Sequence, residues 1–126
     1  MTVQSSLWCA ALVLVTEVGL RPVPAVRAAE GPETAIERGD FSSSHGQLRD
    51  ALTSYQSALA QNPENIRALC GLTRVESELS EQASGEERRR LVAAAVEHGR
   101  GAVRAAPDDA TGHVWLAVAL RYQSRS

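Results

Sequence analysis

Apolar residues recur at intervals of three and four along most of the chain after residue 47. Leu48, Ala51, Leu52, Tyr55, Ala58 and Leu59 form one series that Pro63 closes, the pattern of an amphipathic helix stopped by proline. A second series begins at Ile66, runs through Ala68, Leu69, Leu72 and Val75, and fades near Leu79 before a polar break from Ser80 to Gly85. Ser84-Gly85-Glu86-Glu87 reads as a capping box, with the Ser84 hydroxyl accepting from the Glu87 amide and the Glu87 carboxylate reaching back. The helix it opens is expected to reach Ala106, turning Leu91, Val92, Ala95, Ala102, Val103 and Ala106 inward. Gly99 and Gly101 each cost about 1 kcal/mol inside a helix, so Gly99 is expected to admit a close neighbour. Pro107 ends that helix, Asp108-Asp109 can cap the next, and Val114, Leu116, Ala117 and Leu120 carry the pattern onward. A first helix over 33–44 is weaker, because Gly39 and Ser42-Ser43-Ser44 erode it, and fraying is expected there. Helices joined by such short turns stack as antiparallel hairpins, so the chain reads as all-α.

Composition supports that reading and narrows the partners. Hydrophobic residues make up 44% but aromatics only 4%, so the core must be built from Ala, Leu and Val in closely packed helices. A formal net charge of -2 gives no electrostatic reason to expect nucleic acid or an anionic membrane as partner. Glu86 and Glu87 offset the local run Arg88-Arg89-Arg90. All 13 basic residues are arginine, a usage that fits a GC-rich bacterial genome.

The uncharged run from Leu7 to Val15 has the length of a signal-peptide core and is too short to span a bilayer. Small residues follow, with Val26-Arg27-Ala28 as the best cleavage site. Residues 1–29 are therefore expected to be a signal peptide and 30–126 the folded domain, exported to the periplasm or secreted. If the leader is not one, the chain is cytoplasmic. No membrane span is expected in the mature chain. Of the two cysteines, Cys9 would be removed with the leader, leaving Cys70 without an intramolecular partner and, between Leu69 and Leu72, a small buried hydrophobe.

The spacing Ala51-x-x-x-Tyr55-x-x-Ala58-x-x-x-x-Pro63 resembles the second helix of a tetratricopeptide repeat, with Gly46 and Leu48 at its turn glycine and apolar position. Gly39 falls at the small position of the first helix. A second match is Ala95-x-x-x-Gly99-x-x-Ala102-x-x-x-x-Pro107, with its aromatic position empty. Pro63 and Pro107 lie 44 residues apart, against the ~34 of a standard repeat. With a half repeat from Ala110, the expectation is a short solenoid of about five helices and about two and a half repeats.

Over residues 66–122 the resemblance is more specific. Ser84-Gly85-Glu86-Glu87-Arg88-Arg89-Arg90-Leu91-Val92, then Glu97-His98, and His113-x-Trp115-Leu116-Ala117-Val118-x-Leu120 look like the regulator of microtubule dynamics family and its bacterial tetratricopeptide relatives. The resemblance implies a helical scaffold. In that family the array continues further, which here would leave Leu116, Leu120 and Tyr122 without a covering helix.

No chemistry stands out from the spacing. His45, His98 and His113 are not placed for metal binding on one helix face; a solvated His98 and a packed His113 are expected. Ser42-Ser43-Ser44-His45 lacks a nucleophile-elbow context, and no glycine-rich phosphate loop follows a strand. Neither catalysis nor a cofactor nor a metal is expected. Repeat stacks instead present a concave face built from their first helices. In this register that groove is lined by Ile36 and Asp40, then Arg67, Cys70, Arg74 and Ser77, then Val114, Val118 and Arg121. Arg67 and Arg74, two turns apart on one face, are placed to grip a carboxylate or an acidic peptide. The two-carboxylate clamp of chaperone-binding repeats is not reproduced, because Asp40, Ile36 and Gly71 fill its Asn and Lys positions. The expected function is binding of a protein or peptide in this groove. The alternative is a truncated or capping fragment of a longer repeat protein that forms homo-oligomers through residues 114–122.

Overall fold

The structure is a computed structural model, and it describes residues 30–126. The leader features at Leu7–Val15, Cys9 and Val26–Ala28 lie outside the described residues. Within them the chain is all-helical, with no strand: α1 Pro32–Ser44, α2 Leu48–Gln61, α3 Ile66–Gln82, α4 Gly85–Ala105 and α5 Ala110–Gln123. Each helix packs against the next, so the chain forms stacked antiparallel hairpins compatible with a small helical solenoid.

Local chemistry sets most of the ends. Pro32 starts α1, where the missing amide costs nothing. Its other end closes on Gly46 at φ 73, with the Gln47 amide donating to the Ser42 carbonyl at 2.8 Å and the Gly46 amide to Ser43 at 3.1 Å. So α1 runs unbroken to Ser44 despite its serines. Asn65 caps α3 by accepting from the Ala68 amide at 3.1 Å, and Asp109 caps α5 by accepting from the Thr111 amide at 2.8 Å. The capping box expected at Ser84 does not form. Gly85 takes φ 58, the Ser84 side chain makes no capping bond, and Glu87 is drawn instead to Arg49 of α2 at 3.0 Å.

The largest core joins α1, α2 and α3 around Ile36, Tyr55, Leu72 and Val75, all at most 1% exposed. The Tyr55 ring is its keystone. A methyl group added at Gly39 would stand 2.7 Å from Tyr55 Cε1, and one added at Gly71 would stand 2.7 Å from both Cε1 and Cζ. Both are inside van der Waals contact, so two helices reach the ring only because neither carries a side chain there. Gly99 works the same way further along, where an added methyl group would lie 3.0 Å from Leu116 Cα.

The central helix is α3, and it outlasts the expected break at Ser80 by more than half a turn. Thr73, Ser77 and Ser80 are buried, but each hydroxyl donates to a carbonyl of its own helix, at 2.8, 2.7 and 2.6 Å. Small satisfied hydroxyls let neighbours approach as alanines would. Glu76 is also buried, at 3% exposed, and accepts from His98 Nδ1 of α4 at 2.8 Å. This reverses the histidine expectation. His98 is half-buried in an interhelical pair, whereas His113 is exposed and donates from Nε2 to the Pro107 carbonyl at 2.8 Å. His98 and His113 do not bond to each other.

Gly71→Ala is expected to destabilise the fold by about 1–3 kcal/mol, the overpacking outweighing alanine's better helix propensity. In a Tyr55→Leu background the same change should cost far less; equal costs in a denaturant double-mutant cycle would show that the ring contact is not the cause.

Burial pushes the Glu76 carboxyl above its ordinary value of 4.5, more than the His98 bond and charge pull it down. The folded state therefore holds that proton more tightly than the unfolded chain. Its stabilisation is complete below the ordinary value and lost as pH rises through the raised one. Glu76→Gln cannot titrate, so its stability relative to the native chain should increase as pH rises above 4.5 in thermal melts; a decrease as pH rises would contradict the burial argument.

Candidate functional site

The best-defined concavity is a groove of about 260 Å³ between α1, α3 and the start of α5. From α1 comes Asp40, from α2 the edge of Tyr55, and from α3 Ile66, Arg67, Cys70, Gly71 and Arg74. From α5 come the cap Asp109, Thr111 and Trp115. Gly71 lies in the wall, so the close approach of α3 to Tyr55 also shapes the groove.

Its charges form a chain. The Tyr55 hydroxyl donates to Asp40 Oδ1 at 2.5 Å, and Arg67 donates to Asp40 Oδ2 at 3.0 Å and Glu33 Oε2 at 2.9 Å. Burial first, and then the Asp40 hydrogen bond and charge, hold the Tyr55 phenol far above its usual value, so it stays a donor. Arg74 donates to Ser43 Oγ of α1, its Nε is buried with no hydrogen-bond partner, and it makes no ion pair among the described residues. Arg67 is thus paired with two carboxylates of its own chain, both exposed, whereas Arg74 has none among the described residues.

Cys70 lies at the groove floor, 7% exposed, against Leu69 and Ala102, with Trp115 packed on the same cluster. Burial, and secondarily the Asp109 charge, raise its thiol above the usual value. Asp109 itself is held below the carboxylate norm, first by the Thr111 amide.

The groove gathers Asp40, Arg67, Cys70 and Arg74 as expected. It does not contain the others. Ile36 is 0% exposed in the main core, and Ser77 is 1% exposed with its hydroxyl turned to its own helix. Val114 and Arg121 point outward and Val118 is half-buried, none of them lining the groove. The groove face of α5 is turned by about 60° from the expected one: Thr111 and Trp115, each three residues earlier, take the place given to Val114 and Val118. Spacing alone contained that signal, since Thr111 and Trp115 are one turn apart behind the Asp109 cap. The uncovered helix also differs in detail: Leu116 packs on Ala95, Val96 and Ala119, and the Tyr122 hydroxyl donates to Glu81 at 2.6 Å, leaving Leu120 exposed at 40%.

Among the described residues, no three His, Cys, Asp or Glu side chains are grouped to hold a metal ion, and no helix is long and apolar enough to cross a membrane. The chain matches no protein-family model, no curated protein and no solved structure.

A buried, neutral thiol reacts slowly, because the thiolate is the nucleophile. In a Cys9→Ser chain, Cys70 is expected to resist iodoacetamide at neutral pH until denaturant is added. Rapid native labelling would mean the groove floor opens.

Proposed function

We propose that the chain is a binding module of tetratricopeptide type that holds a peptide, or a segment of a partner protein, in the groove between α1, α3 and α5, without chemistry on its ligand. The observation that carries this reading is Arg74. It is a half-buried guanidinium in a groove wall, matched to a hydroxyl rather than a carboxylate, with Nε unpartnered. A half-buried guanidinium with no carboxylate partner among the described residues is placed to take one from a ligand in the groove. Trp115, Ile66 and Cys70 add an apolar strip beside it, the mixture of apolar wall and a few placed polar groups that small binding sites use. The repeat-like spacing of the helices supports a prearranged scaffold, which lowers the ordering cost of binding. The leader-like residues 1–29 support a setting in the periplasm or outside the cell.

Trp115 supplies the probe, since Trp8 is the other tryptophan and can be replaced. In a Trp8→Phe chain, peptides selected from a random library are expected to change Trp115 emission. Arg74→Gln should weaken them at least about tenfold, the worth of one charge-assisted hydrogen bond. Selected peptides that leave Trp115 emission unmoved, or bind the Arg74→Gln chain equally well, would place binding elsewhere.

A further inference from the structure

The outer side of α5 is one continuous stripe. Ala110, His113, Val114, Ala117, Leu120, Arg121 and Ser124 recur at three- and four-residue steps and are all exposed. Val114 at 57% and Leu120 at 40% are two of the large hydrophobic residues left in solvent. The stripe is centred on Ala117, with Val114 three residues before it and Leu120 three after. Its ends carry opposite charge: Asp108 and Asp109 precede the helix, and Arg121 and Arg125 close it.

We propose that this face pairs with α5 of a second copy, antiparallel, about a two-fold axis at Ala117. A two-fold contact is isologous, so the patch must complement itself when reversed. This one does. Reversal brings Val114 of one copy to the level of Leu120 of the other, and the small Ala117 at the crossing lets the backbones approach. It also sets the acidic start of each helix beside the basic end of its mate, whereas a parallel pair would set like charges together. His113 comes to the level of the second copy's Arg121, but its Nε2 is turned back onto the Pro107 carbonyl. Successive helices in this chain alternate in direction, and an antiparallel second α5 continues that alternation. One helix face is small for a specific interface, so the dimer is concentration-dependent. None of this rests on the groove.

The test uses the full 126-residue chain with Cys9→Ser. Sedimentation is expected to show a monomer–dimer equilibrium, and Ala117→Glu, with helicity checked by circular dichroism, should weaken it at least about tenfold by placing two like charges at the axis. Under mild oxidation, Ala117→Cys should cross-link to itself, and a mixture of Val114→Cys and Leu120→Cys chains should give the mixed dimer in preference to either homodimer. Ala60→Cys, on the exposed side of α2, should not cross-link. A monomer at all concentrations would overturn the proposal. So would a dimer indifferent to Ala117→Glu, or cross-linking no better at Ala117 than at Ala60. Loss of peptide binding in the Arg74→Gln chain would leave these results unchanged.

Discussion

The Tyr55 ring, seated where α1 and α3 each offer a glycine, sets the spacing on which the rest of the described fold depends. Neither Gly39 nor Gly71 is needed for an unusual backbone angle; both are needed for room. Because the ring comes from α2, a single side chain fixes three helices at once. Its hydroxyl then extends the constraint outward, since Asp40, held by Tyr55, in turn holds Arg67. The Asp40 side of the groove wall is therefore tied to the core through the Tyr55 hydroxyl, while Arg67 meets Asp40 as a largely exposed ion pair.

From α3 outward the packing relies on small residues. The chain has few aromatic rings with which to fill space, so its helices must come close, and alanine, glycine and back-bonded serine are what permit it. Gly99 against the Leu116 backbone repeats on α4 and α5 what Gly71 does at Tyr55. The buried Glu76–His98 pair is the exception, a polar contact in the middle of the helical stack. Removing His98 would leave the Glu76 carboxyl buried without its partner, an expected cost to the contact between α3 and α4.

Helix number, order and ends were largely legible in the sequence, because prolines and caps act over a few residues and their physics is local. The Ser80 break was misread for the opposite reason. Serine is polar in isolation, and only tertiary burial with a hydroxyl turned to its own helix makes it behave as a small core residue. Glu87 likewise satisfied the local grammar of a capping box, but a distant arginine on α2 claimed it. The groove was half legible. Arg67, Cys70 and Arg74 follow from the face of α3, whose neighbours surround it and fix its rotation. On α5, where apolar residues run round much of the helix, the periodicity left the rotation open, and Trp115 was missed.

That rotation has a consequence for how the two surfaces of α5 relate. Thr111 and Trp115 turn to the groove, while Val114, Ala117 and Leu120 turn away from it. A helix with residues on both sides can serve two contacts, with Asp109 the one side chain placed at both the groove and the acidic end of the outer face. A second copy on the outer face would leave the groove open, and a ligand in the groove would leave the Ala117 stripe free. Two copies joined at α5 would then present two grooves on one rigid frame, and a partner carrying two matching segments would gain avidity from the fixed separation between them. Such a gain depends on the close fit of α4 and α5 at Gly99, since a frame that flexed there would not hold the two grooves at one distance.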